Sequence, residues 1–522
     1  MTNPLDGFLW QCVEHYGDRT LGHWFQEGVK LSYKELGEKV LAASAGLHAL
    51  GIGTGVHVAT MLPSCPASLI SWFALARLGA VLTPVNQSYQ AEELTFILGN
   101  SNAEFIIIDS EYLPILNKVD SCSLKLKHTI VHGAPSGGHA HWQQMLALNE
   151  DSEAPALQTN SQDLFSIQYT SGTTGLPKGC MLTQHYWLHL GQLGAQLAKG
   201  KALENILVWQ PFYYMDGQWQ LVMTMQLGAT AHIANKMSLS NFGGWLERYQ
   251  IHYTTLPEPL IASFDESQSH PWHLRLVSTF LYQKHNLEKV RRLFGNIARD
   301  AFGMTEVGGV TAMPLDANLA KHDGSCGTVI DDSIQICIMD GNNEVLVAGE
   351  CGELYIKCPH MLLGYYMRPD TNRKAFVDGW FRSGDLAHLD EDGYLYITGR
   401  IKEIIKRSGE NISAREVESI LVQHPAVFEA AVVGVPDELR KEEVKAYIIL
   451  NSAQQATQET AKAIINHCHG KLATFKIPRY IEFISKLPRT PTQKIAKYKL
   501  TNYAISGVGR SWDFKHNKAL FS

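Results

Sequence analysis

The chain is poor in charge, has no cysteines at metal-binding spacing and contains no long apolar run. Charged residues make up 18% of its 522 residues, below the roughly 25% of average globular chains, which argues against long disordered tracts. The net charge of −6 favours solubility and leaves no basic footprint for a nucleic-acid partner. Nine cysteines are scattered from Cys12 to Cys468 without a Cys-x-x-Cys pair, and an odd count speaks against a disulfide framework. His467-Cys468-His469 is dense in ligand types, but adjacent residues on a helix point apart, so it reads as helix surface and core. No apolar run reaches about 18 residues, so no membrane span is expected. Residues 1–7 are polar and acidic and show no signal-peptide pattern. The expected setting is reducing and cytoplasmic.

Hydrophobic residues make up 45% of the chain, enough for a sizeable core. The length predicts about 3–4 domain-sized units. Ser32-x-x-Glu35 is a capping box, followed at helical spacing by Leu36, Val40, Ala43, Leu47 and Leu50, with Gly51 as the stop. Residues 56–62 read as a strand, 67–78 as a buried helix, and Phe105-Ile106-Ile107-Ile108 as a strand. Such alternation predicts an α/β fold with a doubly wound parallel sheet. After about Met313 the pattern changes. Ile334, Ile336 and Ile338 alternate with other residues, and Asp340-Gly341-Asn342-Asn343 reads as a hairpin turn. This section is expected to be antiparallel or a small barrel. Past Arg400 a compact α+β unit of about a hundred residues is expected, with a loosely held tail over 506–522.

One stretch organises the rest: Tyr169-Thr170-Ser171-Gly172-Thr173-Thr174-Gly175-Leu176-Pro177-Lys178-Gly179. It follows the apolar run 164–167 and precedes a helical run from about Thr183, which predicts strand, loop, helix. The glycines permit close backbone approach to a ligand, and successive N–H groups can form an anion nest. The hydroxyls and Lys178 add donors and charge suited to a polyphosphate. It is not a Walker loop, because Pro177 precedes Lys178 and Gly179 follows it.

Four further motifs follow in order: Phe302-Gly303-Met304-Thr305-Glu306, Asp378 to Asp385, Gly399-Arg400-Ile401-Lys402-Glu403, and Pro488-Arg489-Thr490-Pro491-Thr492-Gln493-Lys494-Ile495. On the residues alone, Glu306 offers a hard oxygen ligand suited to Mg2+. Together these motifs resemble those of the adenylate-forming superfamily, the acyl-CoA synthetases and their relatives. The resemblance implies a large N-terminal AMP-binding domain, 1–399, with doubly wound sheets and a small barrel-like part. A small mobile α+β domain, 400–522, would follow it, hinged at Lys402. It implies that Thr170, Ser171, Gly172, Thr173, Thr174, Gly175 and Lys178 hold ATP phosphates. Phe302 would stack on adenine, Thr305 contact phosphate and Glu306 bind Mg2+. Asp385, expected just after a strand, would take the ribose, Arg400 the nucleotide, Lys494 serve adenylate formation, and Gly409 line the coenzyme A passage. Thr305, Glu306 and Lys494 form the expected catalytic set.

The implied reaction activates a carboxylic acid with ATP and passes the acyl group to coenzyme A, releasing AMP and pyrophosphate. Departures concern specificity. Tyr214 stands where the family usually has His or another aromatic, Ser278-Thr279-Phe280-Leu281-Tyr282 replaces a Gly-Gly-Ala-Pro-like run, and Gln493 replaces Gly. Tyr213, Tyr214, Asp216 and Phe280 are expected to shape the acyl pocket. The chain looks closest to the crotonobetaine/carnitine-CoA ligase branch, and Asp216 with Tyr213, Tyr214 and Trp219 could attract a quaternary ammonium. A betaine-like acid or another small to medium carboxylic acid is the expected substrate. A ligase loading a carrier protein and a degenerate adenylate-binding paralogue are the alternatives. Oligomeric state is not legible, a homodimer being one outcome.

Overall fold

The computed structural model describes residues 4–120, 124–134, 138–149, 152, 159–170, 177–264, 272–280, 284–408, 410–452, 454–489, 495–503, 511–514 and 518–519. Four sheets organise them. The first has seven strands and runs from the edge pair Ala140–His141 and His128–His132 through Phe105–Asp109, His57–Met61, Val81–Pro84 and Leu164–Thr170 to Lys178–Thr183. Its last pairing alone is antiparallel. The second has nine strands, parallel in its centre and antiparallel at both edges. Phe105 to Ile108 are all buried, as expected for a parallel strand covered on both faces.

The main apolar core includes Trp72, Phe165 and Trp187. The Trp72 ring meets Phe165 edge-on at 5.1 Å and Trp187 at 6.0 Å. The helices Gln184–Leu197 and Met215–Gln226 approach closely because Gly191 carries no side chain; a Cβ there would lie 2.4 Å from Val222 Cγ1. Ser32 caps the helix Tyr33–Ala49 reciprocally with Glu35.

The third sheet is antiparallel and built from Gln335–Met339, Gly352–Lys357, Phe376–Val377, Trp380–Leu389 and Leu395–Arg400. The Asp340 turn forms as the sequence predicts. Its carboxylate accepts from the amides of Asn342 and Glu344, and Asn343 takes φ 64°. The fourth sheet begins at Ile404 and packs on the helices Ala414–Leu421 and Gln458–Cys468. Its buried apolar clusters contain no residue before Ile405. Among the described residues no helix is long and apolar enough to cross a membrane.

Three local expectations are corrected. The phosphate-loop motif does not lead directly into a helix. A strand, Lys178–Thr183, returns antiparallel to Leu164–Thr170, and the helix starts only after Thr183 caps it. Asp385 lies within the strand Trp380–Leu389; the glycines around it do not end the strand, because Leu395–Arg400 continues the pairing. Part of the tail is anchored. Ser511–Asp513 pairs with Tyr480–Phe483, Trp512 is buried, and Asp513 receives two hydrogen bonds from Arg479.

Candidate active site

The site is assembled where the first sheet, the nine-stranded sheet and the antiparallel sheet meet. Thr170 and Lys178 end the two strands of the loop hairpin and are direct Cα partners. Ser171, Gly172, Thr173, Thr174 and Gly175 lie outside the described residues. The strand after the loop is stitched to the segment 362–366: Tyr366 N donates to Gly179 O, Met181 N to Gly364 O and Leu363 N to Met181 O. Leu362 N in turn donates to Glu306 O at 2.8 Å.

This stitching delivers Tyr365 to the centre. Its hydroxyl donates to Glu306 Oε1 at 2.9 Å, and its ring lies 4.6 Å beneath Lys178 Nζ, a cation–π contact. Burial, and then the charge of Glu306, hold the Tyr365 phenol well above its ordinary pKa. Glu306 is buried, and its other carboxylate oxygen accepts no hydrogen bond from a described residue. Thr305 turns its hydroxyl toward Met215 Sδ at 3.4 Å, while its carbonyl accepts from Tyr186. Phe302 stands on the strand Ala298–Met304 and is 2% exposed, packed in the main core; an adenine would reach it only at a covered ring.

Asp385 and Arg400 are cross-strand partners. Arg400 Nε lies 2.8 Å from Asp385 Oδ1, and Asp385 is buried. Lys402 follows in a short turn, Ile401–Glu403. Its ammonium is pushed below its usual pKa by burial and then by Lys178 and Arg400. Cations from two chain segments, Lys178 from one and Arg400 with Lys402 from the other, are therefore brought close together. Like charges brought together in this way favour an anionic ligand.

Three of the four residues expected in the acyl pocket, Tyr213, Tyr214 and Asp216, are grouped at the start of the helix Met215–Gln226. Tyr213 and Tyr214 pack ring on ring at 4.5 Å. Tyr214 occupies the N-cap position without a side-chain capping bond, and its hydroxyl accepts from Asn86 Nδ2. Asp216 lies in the first turn, where the helix dipole favours an anion, and accepts from Trp219 Nε1 at 3.2 Å. Trp219 is buried, with its ring against Gly194, so it is core and not an open aromatic wall. Phe280 is 40% exposed at the end of its strand. Gly409, Gln493 and Lys494 lie outside the described residues. Tyr365, Asn86 and Gln168, whose side chain donates to Tyr213 O, were not anticipated. The sole cue for Tyr365 was Leu363-Gly364-Tyr365-Tyr366, an aromatic pair after glycine between two strands.

Residues 9–366 match the family described as AMP-binding enzyme, and residues 416–494 match the AMP-binding enzyme C-terminal domain. The chain belongs to the AMP-binding enzyme family. Its motifs are thus those of an adenylate-forming enzyme. Among curated proteins it is 31% identical to a crotonobetaine/carnitine–CoA ligase of Salmonella paratyphi A, over 94% of this chain and 98% of the relative. It is 30% identical to the protein of the same name from Salmonella typhimurium, over 93% and 96%. Among solved structures, an anthranilate CoA ligase with bound anthranoyl-AMP superposes with TM-score 0.86 at 24% identity, over 96% and 97% of the two chains. The o-succinylbenzoate CoA synthetase of Bacillus subtilis, with its acyl-adenylate, gives 0.82 at 25% identity, over 96% and 98%.

Proposed function

We propose that this protein is an acid–thiol ligase. It activates a small to medium carboxylic acid with ATP and transfers the acyl group to coenzyme A. The observation that carries the reading is the grouping of Lys178, Arg400 and Lys402 around Tyr365, whose hydroxyl holds the buried Glu306. In the first half-reaction a carboxylate oxygen bonds to the α-phosphorus, the bond to the bridging oxygen breaks, and pyrophosphate leaves. In the second the thiol, giving up its proton, bonds to the acyl carbon and AMP leaves. The protein mainly positions groups and offsets developing charge.

In this reading Thr170, the loop residues 171–175 and Lys178 hold the β- and γ-phosphates, and Thr305 contacts phosphate. Asp385 takes the ribose hydroxyls once Arg400 shares it with the nucleotide. Phe302 borders the adenine. Glu306 is the residue that would hold Mg2+, since one of its oxygens accepts nothing from the described protein; the ion, when bound, offsets phosphate charge. Lys494 serves adenylate formation, and Gly409 borders the thiol passage. The unit with its own core past Ile405 supports a boundary near residue 400, with rotation about Lys402 between the half-reactions.

ATP–pyrophosphate exchange with a panel of acids, followed by coenzyme A-dependent AMP release, tests the reaction. Exchange with no acid would refute it; use of a carrier phosphopantetheine in place of coenzyme A would reassign the acceptor. Lys494→Ala is expected to abolish exchange and to spare thioester formation from a supplied acyl-adenylate. Loss of both halves would sink the two-orientation reading. The second substrate reading is a trimethylammonium acid. The names of the curated relatives favour it; the inward-turned Trp219 weakens it.

A further inference from the structure

A cavity of about 310 Å3 lies against the nine-stranded sheet, within the size range of small-molecule sites. Its floor is one face of the sheet. Ser278 and Arg299 are Cα partners, as are Phe280 and Ala301, and Ala301 pairs with Ala312 and Ala312 with Thr328. Side chains alternate along a strand, so Phe280 and Ser278 share a face, and so do Ala301 and Arg299. The lining row therefore starts at Ala301, two residues before Gly303, and runs back to Arg299. Small side chains at Ala301, Ser278 and Ala312 leave the space open. Gln196, in the last turn of the helix Gln184–Leu197, and Lys199, just beyond it, stand at its exposed rim.

The lining holds two cations, Arg299 and Lys199, and no carboxylate. Arg299 is 6% exposed. Its guanidinium donates to the carbonyls of Ala298 and Leu315, and its Nε is buried without a partner. Among the described residues it forms no ion pair; Asp316 acts on it only through space. Its sequence neighbour Asp300 does not neutralise it, because Asp300 points to the opposite face, toward Thr279, Leu287 and Val290. A buried guanidinium that lines open space with no carboxylate beside it is costly unless an anion joins it.

We infer that this cavity receives the far end of the acid substrate, and that this far end is itself anionic, the second carboxylate of a medium-length dicarboxylic acid seated on Arg299. The inference rests on the acid–thiol ligase reading and names the substrate class of that site. Arg299 lies four residues before Gly303, or about 13 Å along the strand. The two carboxylates should accordingly be separated by a distance on the order of 10–13 Å.

The test is pyrophosphate exchange by the full chain with aliphatic dicarboxylic acids of increasing length and with monocarboxylic acids of matched length. A hydrogen-bonded charge pair predicts that the best dicarboxylic acid exceeds its monocarboxylic match in kcat/KM by about tenfold to a hundredfold. Arg299→Met should bring that ratio to about one, and Arg299→Lys, which keeps the charge, should retain part of it. Should Arg299→Met fail to fold, Arg299→Lys and the wild-type length series decide. Equal use of the two acid classes would overturn the inference, as would a ratio that survives Arg299→Met. A preference for a trimethylammonium acid would overturn it too, and so would a dicarboxylic acid that alters turnover without being adenylated. These outcomes leave the ligase reading standing, whereas exchange with no acid removes the ligase reading itself.

Discussion

Asp300 offers a sharp test of how the nine-stranded sheet is built. It is 5% exposed, accepts from Thr279 Oγ1 at 3.0 Å, and burial pushes its carboxyl up to about 7 from an ordinary value of 3.8. The folded state thus keeps a proton that the unfolded chain has lost. Stability from this group is fully present below about pH 4 and disappears as pH rises through about 7. At roughly 1.4 kcal/mol per unit, the whole window is worth about 4 kcal/mol, of which 2–3 kcal/mol falls between pH 5 and pH 8. Asp300→Asn keeps an acceptor for Thr279 and removes the titration. Urea unfolding of both proteins across that range isolates the effect, because all other groups cancel in the difference. The variant should gain about 2–3 kcal/mol on the wild type between pH 5 and pH 8. A difference that does not change with pH would mean that Asp300 titrates as an exposed carboxylate, and the burial argument would be wrong.

Two further outcomes are expected. Tyr365→Phe removes the one donor to Glu306 Oε1 among the described residues while leaving the ring under Lys178. Denaturant unfolding should show a loss of about 1–3 kcal/mol, and pyrophosphate exchange should fall about tenfold or more; unchanged exchange would remove Glu306 from the site. His360 is 1% exposed, with neither ring nitrogen hydrogen-bonded among the described residues, and burial followed by His189 and His185 lowers its pKa to about 3. Here the unfolded chain binds the extra proton, so stability is lost as pH falls below about 6.5. His360→Leu should remove about 2 kcal/mol of the drop between pH 7 and pH 5, and an unaltered acid limb would contradict this.

The motifs that bear charge were readable because their chemistry is local. Glu306, Asp385, Arg400 and Lys402 announce themselves by residue type and order, and alternating apolar runs such as 105–108 fix a parallel sheet. What stayed hidden depends on pairing between distant segments. Tyr365 matters because residues 362–366 bond to the strand Lys178–Thr183, nearly two hundred residues away, and no local pattern encodes that. The returning strand after the loop was missed because Lys178–Thr183 precedes a helix without a turn signal between them. The tail was misjudged because one tryptophan, Trp512, and one carboxylate, Asp513, hold it. Arg299 sits three residues before a recognised motif, yet its meaning lies in an empty volume that a sequence does not display.

The adjacency of Arg299 and Asp300 has a bearing on how the chain finds its native pairing. One residue must face a roomy compartment and keep its charge; the other must face tight packing and give its charge up. A slip of one position in the strand would exchange their faces, burying a guanidinium among Leu287 and Val290 and leaving a carboxyl opposite the space that awaits an anion. The dipeptide therefore acts as a proofreading mark for strand alignment, one whose penalty is electrostatic and so steeper than that of a misplaced methyl group.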